Sequence, residues 1–226
     1  MTNEAVFPDG TPVSPQTAPS PMYGRMLAGQ LYMASDSAIA RASRRCTELL
    51  AHINQTPLAT ADEAHAMFSE LLGHFGKDST IRTPFSCDYG THIAIGDYVF
   101  LNFGCQILDT APVTIGDHCQ LATSVNLATA YHPIDPVARA AYWEAGAPIT
   151  LEDNVWLGAG VTVIGGVTIG ANTVVGAGSV VTRDLPANVV AVGCPARPIR
   201  EITDADRVPA SALPEGVTLD YPGADN

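Results

Sequence analysis

The stretch "NVWLGAGVTVIGGVTIG", residues 154–170, places an aliphatic residue at every sixth position. Leu157, Val163 and Ile169 carry this rhythm, and small residues separate most of the strand-like segments. β-Branched residues favour short strands, whereas Gly, Asn and Asp favour tight corners, so each repeat predicts one strand and one turn. The same six-residue spacing joins three runs along the chain: Ile95, Leu101 and Ile107; Ile115, Leu121 and Leu127; and Leu151, Leu157, Val163, Ile169, Val175 and Val181.

A repeat of this length predicts a solenoid, in which each turn buries its apolar side chains against the turns above and below it. The rhythm begins near residue 83 and continues past residue 180. Chance alternation in an ordinary β-sandwich is the alternative, but it does not account for so many aliphatic residues in one phase.

Composition narrows the classes of partner. The 226 residues carry a net charge of −12, with 11 Lys and Arg against 23 Asp and Glu. Nucleic acid and anionic membranes are therefore not expected as partners, because neutralising phosphates needs clustered basic residues. The five cysteines form no C-x-x-C pair, and no apolar run has the length of a membrane span. Because the stretch "MTNEAVFPDG" is acidic and lacks an apolar core, no signal peptide is expected. We expect free thiols and a cytoplasmic protein.

Changes in composition divide the chain into segments. The first segment contains five prolines and is expected to be disordered, whereas the last is acidic. Between the first segment and the repeats, the apolar residues mostly follow helical spacing. The predicted divisions are a disordered segment over 1–21, a helical segment over 22–76, a β-helix over 77–200 with an extended loop at 128–150, and a tail over 201–226.

Two amphipathic helices are predicted in the helical segment. The first follows "SDSAIARASRRCTELLAHINQTP", which begins at residue 35 and is stopped by Pro57. The second opens with Thr60 and Glu63 in capping-box spacing, and Gly73 or Gly76 is expected to end it. Neither helix is long enough to fold alone, so both are expected to pack against the repeats.

The six-residue rhythm stops at "ATAYHPID", residues 128–135, and returns only at Leu151. Pro133 and Pro136 lack amide donors, and they stiffen this segment against continuing the strand ladder. A stiff loop that leaves a rigid coil is a common place for binding groups. His132 is therefore a candidate catalytic residue, and an incidental loop histidine is the alternative.

The other histidines suggest no metal site. His52, His65 and His74 are expected on the helices and partly exposed, and His92 and His118 at solvated corners of the repeats. No close histidine pair exists outside the helices, so metal ligation is not expected.

Four stretches carry a resemblance to a known family. These are "MLAGQLYMASD", "PFSCDYGTHIAIGDYVFLNFGCQILDTAPVTIGD", "NVWLGAGVTVIGGVTIG" and "VVAVGCPARPIREI". Over about residues 22–201 the chain resembles the maltose and galactoside O-acetyltransferase group of the hexapeptide-repeat acyltransferases. The resemblance implies a mostly β fold, namely a left-handed parallel β-helix with a short N-terminal helical segment and an extended loop.

The resemblance also implies acetyl transfer from acetyl-CoA to a hydroxyl group. It makes His132 the general base, because an imidazole can take the hydroxyl proton and return it to the thiolate. No G-x-S-x-G elbow supplies a nucleophile, so direct transfer in a ternary complex is expected. The backbone amide near Ala159 is implied as the oxyanion donor. Glu144 either holds the imidazole tautomer or is simply an exposed acid.

Acetyl-CoA carries phosphates, and because this chain is acidic overall, binding them requires a local cluster of positive charge. Three arginines lie within eighteen positions at the C-terminal end of the repeats, and a solvated basic cap is the alternative interpretation. Trp156 either walls the pantetheine slot or packs on a helix. The full set implied to bind the coenzyme is Trp156, Ala159, Ala177, Thr182, Arg183, Arg197 and Arg200.

Acceptor binding is implied at Asp88 and Asn102, although Asn102 also suits a tight corner. Two positions depart from the pattern of the galactoside enzymes. Ala34 stands where those enzymes carry an aspartate, and Thr110 replaces a second acid, with Asp109 beside it. Both changes bear on the identity of the acceptor.

Together these observations predict an acetyl-CoA-dependent O-acetyltransferase for a sugar or sugar-like acceptor, assembled as a homotrimer with sites between chains. A xenobiotic or nodulation-type oligosaccharide acceptor is the first alternative. A non-catalytic β-helix that serves as a binding module is the second, but it predicts uninterrupted repeats.

Overall fold

Three sheets, parallel except for the last strand of one, enclose the apolar residues of the repeat in the computed structural model, which describes residues 5–56 and 60–219. Face one contains β1 (His74–Phe75), β4 (Ile93–Ile95), β7 (Val113–Ile115), β12 (Ile149–Leu151) and β15 (Thr168–Ile169). Face two contains β2 (Thr80–Ile81), β5 (Phe100–Leu101), β8 (Gln120–Leu121), β13 (Trp156–Leu157), β16 (Val174–Val175), β18 (Val189–Gly193) and β19 (Ala196–Glu201). Face three contains β3 (Ser86–Cys87), β6 (Gln106–Leu108), β9 (Asn126–Ala128), β14 (Thr162–Ile164) and β17 (Val180–Val181).

The aliphatic residues of the repeat stack in register from one coil to the next. On face two, Leu101, Leu121 and Leu157 are consecutive partners, and each is almost fully buried. Equivalent columns run through faces one and three, so the interior forms one continuous apolar cluster. The six-residue rhythm therefore marks the residues that point into the coil.

Aspartates tie successive coils together at the corner between faces one and two. The Asp97 carboxylate accepts a hydrogen bond from the Lys77 amide at 2.9 Å. The Asp117 carboxylate accepts one from the Asp97 amide at 2.8 Å, and Asp153 does the same for Asp117 at 2.9 Å. Each carboxylate thus satisfies an amide that the strand ladders leave unpaired.

All departures from six-residue spacing fall on one edge of the coil, between faces three and one. We call this the insertion edge; it comprises residues 88–92, 108–112 and 128–148. Because these residues lie outside the strand columns, they can vary in number without disturbing the core. The step from face three to face one takes eight residues from Cys87 to Ile95, eight from Ile107 to Ile115, twenty-four from Leu127 to Leu151, and six from Val163 to Ile169.

Three helices precede the coil: α1 (Pro21–Leu27), α2 (Ser37–Gln55) and α3 (Ala61–Leu71). Helix α3 covers the N-terminal end of the coil by contacting β1 and β2, α2 packs on α3, and α1 packs on α2. The Thr60 hydroxyl caps α3 by accepting a hydrogen bond from the Glu63 amide, as the capping-box spacing predicts. Helix α3 ends at Leu71, so the prediction that Gly73 or Gly76 ends it is wrong. A Cβ atom at either glycine would collide with backbone of the next coil, which explains why glycine is present.

The boundaries of the segments also differ from the prediction. Residues 5–20, expected to be disordered, lie against α1: Phe7 and Val13 pack beside Tyr23, because apolar residues between the prolines find a buried surface there. The coil begins at His74, three residues earlier than predicted, and His74 lies in β1 and not in a helix. Residues 1–4, 57–59 and 220–226 lie outside the described residues, so the prediction that Pro57 stops the first helix falls outside them.

A hairpin ends the coil, because β19 pairs with β18 in the antiparallel sense. Two short 3-10 turns, Asp204–Asp206 and Ala210–Ala212, follow it within the acidic tail. None of the helices in the described part of the chain is long and apolar enough to cross a membrane.

Candidate functional site

The segment that interrupts the repeats forms an antiparallel hairpin on the insertion edge. Strand β10 (Ala130–Tyr131) pairs with β11 (Ala145–Gly146). At the base of the hairpin the Thr129 hydroxyl donates to the Leu108 carbonyl at 2.5 Å and accepts from the Ala111 amide at 3.0 Å. These bonds anchor the hairpin to the coil below it.

The tip of the hairpin is held by its own contacts. The short helix α4 (Pro136–Ala140) is capped by Asp135, whose carboxylate accepts from the Val137 amide at 3.0 Å. The Arg139 guanidinium donates to the carbonyls of Pro133 and Ile134 at 2.9 and 2.8 Å. His132 therefore follows a paired strand and precedes a segment that Arg139 holds in place.

His132 and Glu144 line one cavity of about 550 Å³. The imidazole is exposed, and it makes no hydrogen bond with any residue that the structure describes. Glu144 is half-buried and pairs with Tyr32 through two backbone hydrogen bonds of 2.9 and 3.1 Å. The wall opposite the hairpin comes from the segment before α2, and the remaining lining residues are Met33, Ala34, Ser35, Arg139 and Tyr142.

Asp88 lies half-buried on the same edge, two coils below the hairpin. Burial, together with the negative charges of Asp109 and Glu144, raises the pKa of its carboxyl group to about 7. Burial and the charges of Glu144 and Asp88 likewise raise the pKa of the Tyr32 hydroxyl. Glu144 thus lies close to Asp88 and lines one cavity with His132, so the three residues belong to one region of the insertion edge.

Asn102 lies on a different edge, between faces two and three. Its side-chain oxygen accepts a hydrogen bond from the Phe103 amide at 2.8 Å, which is the contact expected of a corner residue. Within a single chain the structure does not bring Asn102 to the insertion edge, where His132 and Asp88 lie.

Candidate coenzyme residues line the same edge as Asn102. Ala159 and Ala177 occupy equivalent corners of successive coils, and the Ala159 carbonyl accepts from the Gly178 amide at 2.8 Å. Among the described residues no acceptor faces the Ala159 amide, so this N–H is available as a donor. Trp156 lies nearby in β13 with 53% of its surface exposed. This exposure favours the interpretation that Trp156 forms the wall of a binding slot over the alternative that it packs on a helix.

The predicted arginine cluster lies at the C-terminal end of the coil. Thr182 and Arg183 follow β17 and are exposed, and β19, which carries Arg197 and Arg200, contacts β17. Arg200 donates to the Asp206 carboxylate at 2.8 Å, so part of its charge is already paired within the acidic tail.

Sequence reasoning misplaced His92, which is fully buried and not at a solvated corner. Its ring lies 2.7 Å from the Tyr23 hydroxyl and 2.5 Å from the Asp109 carbonyl, and burial lowers its pKa to about 4. Asp109 is fully buried and Thr110 is buried beside it, so Asp109 cannot serve as a surface acid in place of the one that Thr110 replaces. The sequence feature that could have revealed the unusual positions of His92 and Asp109 is the eight-residue spacing from Cys87 to Ile95, which recurs from Ile107 to Ile115.

Comparison with known proteins supports the resemblance seen in the sequence. The maltose acetyltransferase hexapeptide capping motif matches residues 25–76, and six repeats of the bacterial transferase hexapeptide model match residues 148–183. Nodulation protein L of Rhizobium meliloti is 44% identical over 173 residues, covering 76% of this chain and 94% of that protein. The chain belongs to the hexapeptide-repeat acyltransferases, in the maltose and galactoside O-acetyltransferase group.

Two further relatives describe the group. The galactoside O-acetyltransferase of Escherichia coli is 36% identical to this acetyltransferase, over 83% of this chain and 92% of that one. A hexapeptide-repeat acetyltransferase of Vibrio cholerae, solved in complex with acetyl coenzyme A, is 38% identical with a TM-score of 0.76, covering 81% of this chain and 99% of that one. The predicted fold class, a left-handed parallel β-helix of hexapeptide repeats, is confirmed.

The raised pKa of Asp88 predicts a specific dependence of stability on pH. Its pKa is about 7 in the folded state and 3.8 without the fold, so ionising Asp88 as pH rises through this window costs folding free energy. Asp88→Asn removes this cost. The free energy of unfolding of the variant, relative to the wild type, should increase between about pH 4 and pH 7 in urea titrations and change little above that range, where Asp88 is ionised in both states.

The matched control is Asp78→Asn, at an exposed corner. Its stability difference from the wild type should stay constant over the same range. A constant difference for Asp88→Asn as well would contradict the assignment of Asp88 to a low-polarity site.

Proposed function

We propose that this acetyltransferase moves an acetyl group from acetyl-CoA to a hydroxyl of a sugar or sugar-like acceptor, with His132 as general base. The observation that carries the proposal is an exposed imidazole on an anchored hairpin, lining a cavity with Glu144 and lying on the edge that holds Asp88. The relatives named galactoside O-acetyltransferases support the reaction class, and the Vibrio cholerae structure supports the donor.

The imidazole of His132 accepts the proton of the acceptor hydroxyl while the oxygen attacks the thioester carbonyl. When the carbon–sulfur bond breaks, the same imidazole returns the proton to the thiolate. The free amide of Ala159 donates a hydrogen bond to the developing oxyanion. No covalent acetyl-enzyme is needed, so both substrates are bound at once.

Three side chains orient the reaction. Glu144 lines the same cavity as His132, and in the complex with both substrates it would accept a hydrogen bond from the imidazole and so hold its tautomer. Asp88 and Asn102 bind hydroxyl groups of the acceptor. Ala34 widens the cavity where galactoside enzymes carry an acid, which favours an acceptor that differs from a simple galactoside.

The residues at the C-terminal end fit acetyl-CoA. Arg183 and Arg197 supply local positive charge for its phosphates in a chain whose net charge is −12. Trp156 walls the pantetheine arm beside the Ala159 amide. The remaining contacts on this path are Ala177, Thr182 and Arg200, the last of which must exchange Asp206 for phosphate.

The active unit is a homotrimer. Asn102 and Ala159 lie on one edge of the coil and His132 on another, so a site that contains all three requires two chains. The hairpin also exposes Ile134 and Val137, with 95% and 75% of their surfaces accessible, and a neighbouring chain would cover them.

A xenobiotic alcohol or an oligosaccharide is the alternative acceptor, favoured by the departures at Ala34 and Thr110. Release of free coenzyme A thiol, measured across sugars, oligosaccharides and xenobiotic alcohols, separates these acceptors. No thiol release with any of them would favour the non-catalytic binding module instead.

We expect His132→Ala to lower kcat by about 10²–10⁴-fold, because the hydroxyl proton then has no acceptor. The affinity for acetyl-CoA and the melting temperature should change little, since His132 lies outside the strand columns and binds no phosphate. Steady-state kinetics with one accepted acceptor, together with calorimetric titration of coenzyme A, measures both quantities.

His118→Ala is the control, because His118 is an exposed corner histidine that stacks on Tyr98 away from the hairpin. It should keep wild-type kcat. Near wild-type kcat in His132→Ala would remove His132 from the mechanism.

Arg183→Ala and Arg197→Ala should each raise KM for acetyl-CoA, because each removes a charge-assisted contact to phosphate. The increase should be smaller with 3′-dephospho-acetyl-CoA for whichever arginine meets the 3′-phosphate. Arg44→Ala, on the exposed surface of α2, controls for loss of positive charge alone. Unchanged KM in both variants would show that the phosphates bind elsewhere.

A site shared between chains predicts complementation. His132→Ala and Asn102→Ala chains should each be impaired alone, but refolding them together should restore activity at interfaces that combine an intact His132 with an intact Asn102. Sedimentation should give three times the chain mass of 23.6 kDa. An active species with the mass of one chain would exclude the shared site.

A further inference from the structure

We propose that Asp109 is a positioning residue for the acceptor: its buried carboxylate fixes the backbone that carries Asp88, and His92 and Tyr23 hold Asp109 in place. The inference rests on the proposed role of Asp88 in binding the acceptor. It assigns a function to a buried group of residues on the insertion edge that the mechanism above does not use.

The carboxylate of Asp109 reaches down one coil to two consecutive amides. Its Oδ1 atom accepts hydrogen bonds from the backbone N–H groups of Asp88 and Tyr89, each at 2.9 Å. Hydrogen bonds from amides to a carboxylate are stronger than those between neutral groups, and two adjacent donors fix a backbone turn in position and direction. The direction of the Asp88 side chain is therefore set by Asp109.

His92 fixes Asp109 from the other side. Its Nδ1 atom lies 2.5 Å from the Asp109 carbonyl oxygen, and its Nε2 atom lies 2.7 Å from the Tyr23 hydroxyl. A carbonyl can only accept, so Nδ1 carries the proton, Nε2 accepts, and Tyr23 donates. This tautomer is neutral, in agreement with a pKa that burial lowers to about 4.

The contact differs from the aspartate contacts at the other corners. Asp97 and Asp117 each accept one amide, and the side chain of Asp97 is 38% exposed. Asp109 accepts two amides and is fully buried, and its Oδ2 atom has no hydrogen-bond partner among the described residues. An unpaired buried carboxylate oxygen is costly, which is not expected of a residue that serves only to join two coils.

The location supports the same conclusion. His92 and Tyr89 belong to the first eight-residue step, and Asp109 belongs to the second. The extra residues in these steps thus supply the turn that carries Asp88, the carboxylate of Asp109 that holds this turn, and the imidazole that holds the backbone of Asp109. Without them the coil would still close, since Val163 and Ile169 are joined by the ordinary six-residue step.

The test compares kinetics for the two substrates at about pH 8, where Asp88 is mostly ionised in the folded protein. Asp109→Ala should lower kcat/KM for the acceptor by about 10- to 100-fold, because the Asp88 side chain is displaced. KM for acetyl-CoA should stay at the wild-type value. Asp109→Asn keeps an oxygen for both amides and should restore most of the acceptor kcat/KM.

Two comparisons separate positioning from stability. Asp117→Ala loses an equivalent contact at another corner, so it should lower the melting temperature without changing acceptor kinetics. Tyr23→Phe removes only the hydroxyl that holds His92, and it supplies a mild variant if Asp109→Ala does not fold. It should raise KM for the acceptor and leave KM for acetyl-CoA unchanged.

A double-mutant cycle identifies the route of the effect. Asp88→Ala and Asp109→Ala combined should be no worse for the acceptor than Asp88→Ala alone, because Asp109 acts through Asp88. Additive losses would overturn the inference, as would Asp109→Ala with altered melting temperature and unaltered acceptor kinetics. Equal impairment of Asp109→Asn and Asp109→Ala would also overturn it.

The same variants distinguish a failure of the positioning role of Asp109 from a failure of the proposed function. If His132→Ala is inactive and Asp88→Ala weakens acceptor binding while Asp109→Ala does not, only the positioning role fails. If Asp88→Ala leaves acceptor kinetics unchanged, or His132→Ala stays active, the proposed function itself fails.

Discussion

In-register stacking of one coil on the next is the constraint on which the rest of this structure depends. Each inward aliphatic residue packs on its counterpart above and below, as Leu101, Leu121 and Leu157 do on face two. A strand moved by one residue would turn its apolar side chain outward and bury a polar one, so no column can slip independently. Residues may therefore be added only at corners, and only where they leave the columns aligned.

The site follows from that constraint. Additions are confined to one edge, and they occur in three successive coils, so they lie one above another. The first carries Asp88 and His92, the second carries Asp109, and the third carries His132 and Glu144. Residues that are far apart in sequence become neighbours because the coil beneath them is regular. At the edge between faces two and three no residues are added, so corners such as those of Ala159 and Ala177 align in a flat run; this is the edge on which we propose that the coenzyme binds.

The sequence was informative wherever a residue type follows from its local conformation. The six-residue columns, the cap at Thr60 and the break before His132 could all be predicted, because each reflects backbone geometry over a few positions. The environment of His92 could not, because α1, which lies 69 residues away in sequence at Tyr23, packs that tyrosine against His92. The pairing of Arg200 with Asp206 and the order in residues 5–20 likewise depend on contacts that no local pattern specifies.

The final hairpin, formed by β18 and β19, affects whether the coil of one chain can associate end to end with the coil of another. A parallel solenoid ends in a strand whose amides and carbonyls face outward, which is the geometry that seeds fibrils. Strand β19 ends face two, where Pro198 removes an amide and Arg197 and Arg200 flank it with charge. At the other end α3 contacts β1 and β2. Both termini of the coil are thus blunted against end-to-end growth, and the enzyme can present open flanks for assembly without polymerising.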